Sequence, residues 1–321
     1  MKRALVALAA LAACGHGAGA VLGGADGGSA ASVTEAGVAS EDAAGTEPSD
    51  EAGVVAVLGD DAAPLADGAP ASRCVTTATT ITCEHVVISL DDGGNARPVA
   101  YSTPLGEPPA SGWPVVLFFQ GSLVPGDTAF AATTSSPFGE YYLTLTIQAL
   151  LDDGYAVIAP DASGDGTTFW ETNIPPYATS WPGSPDDSLM LDLFAAISSG
   201  QFGPLDDTHL YAMGISSGGF MTSRMAVSYP GRFRALADHS GSYATCSDVC
   251  TVPTPLPANH PPTLFLHGDT DLVVPITAIQ PYIDALNAEG FETQLVTDAV
   301  AGHQWLSEAV QAIPAWFDSH S

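Results

Sequence analysis

The stretch GISSGG, residues 214–219, puts a serine between small residues where an apolar run (HLYAM, 209–213) meets a stretch of helical character (FMTSRMAV, 220–227). Read outward from it, the chain alternates. Upstream come a buried strand in WPVVLFFQGS (113–122), a helix in YYLTLTIQALLDDG (141–154), a strand in YAVIAPDAS (155–163) and an acid-started helix in DDSLMLDLFAAISSG (186–200). Downstream come strands in RALADHSG and PTLFLHG, a helix in TAIQPYIDALNAEG, a strand in TQLVTD and a closing helix in SEAVQAIPAWFDSH. Before all of these, TCEHVVISL and RPVAYSTP form a hairpin around DDGG (91–94). Strands alternating with helices predict an α/β fold: a mostly parallel central sheet with helices on both faces. Active sites on such sheets lie beyond the carboxyl ends of the strands.

Composition bounds the partners. The chain has 321 residues, 36 acidic against 7 basic, and a net charge of −29. That surface repels phosphate backbones and anionic membranes, which excludes nucleic acid as a natural partner. Lys2-Arg3 followed by ALVALAALAA (4–13) reads as an export signal too short to span a bilayer. It ends in LAAC (11–14), which resembles the lipobox of bacterial lipoproteins. Residues 1–14 are then a signal peptide with Cys14 lipidated, giving an outer-membrane-anchored lipoprotein. Cleavage after AGA (18–20) is the alternative and gives a secreted protein. Residues 15–72 are rich in Ala, Gly and acids, with ten acidic residues between Asp26 and Asp67 and no basic one. They read as a flexible, self-repelling tether. Residues 73–321 are expected to form the folded domain. Cys74, Cys83, Cys246 and Cys250 remain after Cys14; the local disulfide pairs 74–83 and 246–250 are the economical choice among three pairings. CSDVC (246–250) lacks a second ligand pair, and the carboxylate pairs 152–153, 186–187 and 206–207 suit turns and helix starts, so no metal is expected. Met221 and Met225, four apart behind the serine, are expected in the core.

Gly214-Ile215-Ser216-Ser217-Gly218 is a G-x-S-x-G motif in strand–turn–helix context. The sharp turn needs small neighbours and lifts a serine hydroxyl above the sheet edge. In α/β-hydrolases, which this context resembles, such a serine is the nucleophile, and the chain order is serine, acid, histidine. Of eight histidines, His303 in AGHQW sits in the loop between the last strand and the last helix, where that fold places its base. The acid follows the next-to-last strand. LFLHGDTDLVVP (264–275) offers Asp269 and Asp271, and its H-G-x-x-D-x-x-V-P spacing resembles the acid loop of many α/β-hydrolases, which selects Asp271. The oxyanion hole is expected from the backbone N–H of Ser217 and one from Gln120, Gly121 or Ser122, after the strand WPVVLF. Gln-Gly stands here where His-Gly is usual, and the choice of donor stays open.

GISSGGFMTSRMAVSYPGRFRALADHSGSYATC (214–246), HPPTLFLHGDTD (260–271) and GHQWL (302–306) are similar to the extracellular polyhydroxyalkanoate depolymerases, especially the medium-chain-length type. The similarity runs from about residue 85 to 318. It implies an α/β-hydrolase fold, a Ser216–Asp271–His303 triad, no cofactor and an aliphatic polyester substrate. Feruloyl and acetylxylan esterases are broader relatives and an alternative substrate class. A catalytically silent surface-binding lipoprotein is the alternative outside enzymes. About 21 residues (242–262), five of them proline, separate two strands where related enzymes insert large lids, so an open cleft is expected. The loop 169–183 carries Phe169, Trp170, Tyr177 and Trp181 on the active face. With Tyr243 and Trp305 these rings either grip a greasy polymer or pack their own loops.

Overall fold

The structure is a computed structural model that describes residues 72–162, 169–173, 176–245 and 252–321. The leader, the tether up to residue 71, and the expected pair Cys246 and Cys250 lie outside the described residues.

Among the described residues, eight strands form the central sheet: β3 (Val86–Asp91), β4 (Ala96–Ser102), β5 (Trp113–Phe119), β7 (Ala156–Pro160), β8 (Leu205–Ile215), β9 (Phe233–His239), β10 (Thr263–Gly268) and β11 (Thr293–Asp298). Their spatial order is β11-β10-β9-β8-β5-β7-β4-β3. The β3–β4 hairpin expected around DDGG is present, and β4 also runs antiparallel to β7. Every pairing from β7 to β11 is parallel. Among the described residues, four helices link successive strands, α1 (Glu140–Asp152), α2 (Pro185–Ser198), α3 (Ser217–Ser228) and α4 (Gln280–Glu289), and α5 (Ala309–Asp318) follows β11.

The central strands are apolar on both faces because helices cover both. In β8, Tyr211 and Met213 join one core with Ile147, Leu150, Ile313 and Phe317 of α1 and α5. Leu210 and Ala212 point the other way, into a core with Leu189, Met190 and Leu193 of α2. This alternation is the two-residue period of a strand buried on two sides. Met221 and Met225 sit in that second core, as their helical spacing predicts. α2 starts where the sequence places it: Ser184 caps the helix by accepting the Asp187 N–H at 3.0 Å, and Pro185 follows at the first helical position.

A small antiparallel sheet, β1 (Cys74–Thr76), β2 (Thr80–Cys83) and β6 (Ala131–Thr133), was not foreseen in the sequence. The Cys74–Cys83 disulfide, one of the two local pairs expected, bridges β1 and β2 across their first register pair. Among the described residues, the segment between β9 and β10 carries no helix or strand.

Candidate active site

The turn between β8 and α3 sets the geometry. Ser216 takes φ 58° and ψ −124°, a conformation that side chains seldom adopt. Its N–H donates to the His239 carbonyl at 3.0 Å, and its own carbonyl accepts the Phe220 N–H at 3.1 Å. The glycines around it are required by contact. A Cβ on Gly218 would collide with the Phe119 carbonyl, and one on Gly214 with the Gly218 carbonyl. On Gly219 it would meet the Asp238 carboxylate at 2.6 Å. The motif therefore packs β5, β8 and α3 together at closest approach, with the serine at the tip.

Asp271 and His303 come from the loops after β10 and β11. His303 Nδ1 and Asp271 Oδ2 lie 2.8 Å apart. The other carboxylate oxygen accepts the N–H groups of Val273 at 2.8 Å and Val274 at 2.9 Å, which fixes its orientation. Burial alone lifts the Asp271 carboxyl. The His303 hydrogen bond and charge and the two backbone donors outweigh it, so its pKa lies below the ordinary value. An ionised carboxylate against Nδ1 directs the imidazole proton to that nitrogen and leaves Nε2 free to accept. Asp269 is exposed and makes no such pair.

Ser216 and His303 line one cleft, together with Gln120, Gly121 and Ser122. The cleft encloses about 740 Å³, part of it open to solvent, and its remaining walls are mostly apolar: Leu123, Val124, Phe138, Leu143, Ile215, Val273 and Trp305. Among the described residues that line it, Glu140 is the one carboxylate, and burial raises its pKa. Gly121 lies against the serine: a Cβ there would sit 3.6 Å from the Ser216 Cβ. The Gln120 side chain is turned away to Thr128 Oγ1 at 3.0 Å, and the Gln120 carbonyl is taken by the Trp170 indole N–H at 3.0 Å. Ser217 opens α3, where backbone N–H groups have no partner within the helix. Its hydroxyl accepts the Trp170 N–H at 3.0 Å.

Three of the rings left open between gripping polymer and packing their loops take the packing place. Trp170, Trp181 and Tyr243 are 2%, 4% and 3% exposed. The surface-gripping reading is corrected for all three. Trp170 packs edge-on against Phe119. Trp181 donates to the Tyr229 hydroxyl at 3.2 Å and lies under the Arg224 guanidinium. Tyr243 packs against Tyr282 in a third core beside α4. Arg224 organises this region from α3, donating to the carbonyls of Thr172, Ala178 and Ala244. A buried cation needs these acceptors, so it draws the loop inward and the rings with it. Trp305 is buried as well, but it forms part of the cleft wall. Tyr177 is half-buried.

Two histidines that the sequence puts at strand ends, as packing or loop residues rather than as the base, brace the site. The His239 ring stacks on Trp305, and its Nε2 accepts the Leu306 N–H at 2.9 Å, so it braces the loop that carries His303. His267 meets the Val274 carbonyl at 2.7 Å and braces the Asp271 turn. Burial pushes both well down or down from the ordinary histidine value, which keeps them neutral at pH 7. Both stand at the carboxyl ends of β9 and β10, where the packing reading puts them.

No protein-family model matches the chain. A poly(3-hydroxyoctanoate) depolymerase from Pseudomonas fluorescens is 50% identical over 258 residues, covering 78% of this chain and 92% of its own length. Among solved structures, a thermostable esterase superposes with a TM-score of 0.54 at 17% identity, over 74% of this chain and 63% of its own. An S-formylglutathione hydrolase from Staphylococcus aureus gives 0.51 at 14% identity, over 73% of this chain and 98% of its own. At these identities the likeness to the two structures is one of fold.

Proposed function

The chain belongs to the polyhydroxyalkanoate depolymerases, ester-bond hydrolases of the α/β-hydrolase fold, and from that premise we propose that it cleaves medium-chain-length polyhydroxyalkanoate through Ser216, His303 and Asp271. The carrying observation is the 2.8 Å contact of His303 with Asp271 in the cleft that Ser216 also lines. His303 Nε2 takes the Ser216 proton as the hydroxyl attacks the ester carbonyl. Asp271 holds the ring and stabilises its charged form. The backbone N–H of Ser217 and one from residues 120–122 stabilise the oxyanion. The protonated His303 returns its proton to the leaving alkoxide, leaving an acyl-enzyme. Water activated by His303 then releases a hydroxy acid.

Medium-chain preference is supported by the poly(3-hydroxyoctanoate) in the relative's name and by the apolar walls, which suit an aliphatic side chain. The chain is further proposed to act outside the cytoplasm, released or anchored by lipid at Cys14. Radiolabelled palmitate incorporated into the parent and lost in Cys14→Ser would support the anchor; equal labelling would sink it. No helix of the described residues is long and apolar enough to cross a membrane.

The test of the activity is clearing of poly(3-hydroxyoctanoate) latex beside short-chain polyester, feruloyl ester and acetylxylan. Clearing of the octanoate polymer, abolished by Ser216→Ala, is the expected result. Hydrolysis confined to the sugar-linked esters would overturn the substrate, and clearing by Ser216→Ala would overturn the nucleophile.

A further inference from the structure

Four large apolar side chains stand exposed on the cleft wall and on the loops that carry Asp271 and His303. Leu123 and Phe138 line it and are 41% and 47% exposed. Leu272 and Val300, in the loops after β10 and β11, are 92% and 84% exposed. Leu272 lies between Asp271 and the cleft residue Val273.

The two outer side chains are held on rigid turns. Asp271 Oδ1 accepts from both Val273 and Val274, which tightens the turn and leaves Leu272 at its tip. Asp298 Oδ1 does the same for Val300 and Ala301, at 2.8 and 3.0 Å. Thr270 clips the turns to each other through the Val300 and Ala301 carbonyls, at 3.2 and 2.8 Å. Side chains so exposed contribute nothing to the core. Apolar groups so fixed and exposed mark a contact surface.

We propose that Leu272 and Val300, together with Leu123 and Phe138 of the cleft, dock the enzyme on the face of a solid aliphatic polyester and present the cleft to it. This rests on the polyester reading above and extends it from the bond that is cut to the surface that is held. The partner follows from chemistry. A net charge of −29 disfavours an anionic surface, whereas an uncharged aliphatic solid meets exposed Leu and Val without electrostatic cost. Leu123 and Phe138 line the cleft with Ser216, and Leu272 adjoins its Val273, so adsorption through these side chains brings the ester to Ser216. Contact of this kind strengthens with sulfate salts.

The experiment uses the full chain carrying Ser216→Ala, so that adsorption is measured without hydrolysis. Binding isotherms on poly(3-hydroxyoctanoate) particles are compared with and without Leu272→Ser and Val300→Ser. The double substitution should raise the half-saturating concentration about tenfold or more, and sulfate should tighten binding of the parent. Leu272→Met with Val300→Ile should keep parental adsorption. With Ser216 restored, the double substitution should reduce particle clearing at least about fivefold more than turnover of a soluble octanoyl ester. Adsorption equal to the parent overturns the proposal. So does equal binding of the parent to phosphatidylcholine vesicles and particles, or a concentration-dependent dimer that the double substitution abolishes. Clearing by the parent judges the polyester reading separately: an enzyme that clears particles but adsorbs independently of Leu272 and Val300 refutes only the docking surface.

Discussion

Ser216 is held at a backbone conformation that costs about 1–3 kcal/mol, so the surrounding contacts must enforce it. Gly218 is the position where that enforcement leaves no space. Gly218→Ala drives a methyl group into the carbonyls of Phe119 and Gln120, and the two strands cannot separate without breaking their ladder. A loss of about 3 kcal/mol or more in denaturant unfolding is expected, with activity lost in parallel. Asp271→Asn should behave differently. It keeps the size of the side chain but removes the charge that orients the His303 proton, so kcat should fall by on the order of 10⁴ with little change in KM. A comparable rise in KM would point to a displaced loop instead. A third residue titrates. Burial first, then Asp186 nearby, pushes Glu171 up to about 7. A carboxyl whose folded pKa exceeds its unfolded one binds its proton more tightly when folded. Its stability contribution is therefore fully present below the unfolded value near 4.5 and is lost as pH rises through 7. Glu171→Gln should match the parent at pH 4 and exceed it by about 1–2 kcal/mol at pH 8, allowing for partial exposure. Equal stability at both pH values would remove Glu171 from the account.

At the scale of elements, Arg97 of β4 shows how far apart the parts of one interaction can lie in sequence. It is buried and meets Asp92 and Asp186, each at 2.8 Å, together with the carbonyls of Asp161 and Ala162. Asp186, in the first turn of α2, also accepts the Glu171 N–H at 2.7 Å. Arg97→Met strands a buried carboxylate and should cost about 3–5 kcal/mol, read from the urea midpoint. The double change Arg97→Met, Asp186→Leu should recover part of that loss. Sequence reading saw the 186–187 pair as helix-start chemistry, which is true of Asp187 and incomplete for Asp186. The strands and helices of the sheet were legible because their apolar runs and glycine stops are local signals. The Ser216, Asp271 and His303 positions were legible because strand order ties each to a loop at the sheet's carboxyl edge. The packing of Trp170 and Trp181 was not. It depends on Arg224, on a different helix, drawing carbonyls of their loop inward, and no local pattern carries that. The three-residue strands β1 and β6 were missed because so short a run has no period. The Cys74–Cys83 bridge holds the first of them to β2, and Cys74→Ser with Cys83→Ser should cost about 2–3 kcal/mol from the entropy of so short a loop.

Over the whole molecule, two apolar layers on one twisted sheet carry the fold, while its charge works against it. With 36 acidic and 7 basic residues, most carboxylates have no cationic partner to meet. The ion pairs of the described residues that involve an arginine use only Arg73 and Arg97. The remaining carboxylates repel one another across the surface, and that repulsion is relieved when the chain expands. Salt should therefore stabilise the folded protein by screening, as the Debye length falls from about 30 Å at 0.01 M to about 3 Å at 1 M. The buried Arg97–Asp186 pair is shielded from salt by its position and does not oppose the effect. Thermal unfolding in sodium chloride from 0.01 to 1 M should show Tm rising by about 3–6 °C, with most of the rise complete by 0.2 M, where screening already reaches neighbouring charges. A further steady rise above that, seen with sulfate more than chloride, would report the apolar layers rather than the charges. A Tm that does not move with either salt would mean that the surface carboxylates are spaced widely enough to be solvated independently. The acidity would then bear on which surfaces the protein avoids and not on how firmly it is folded.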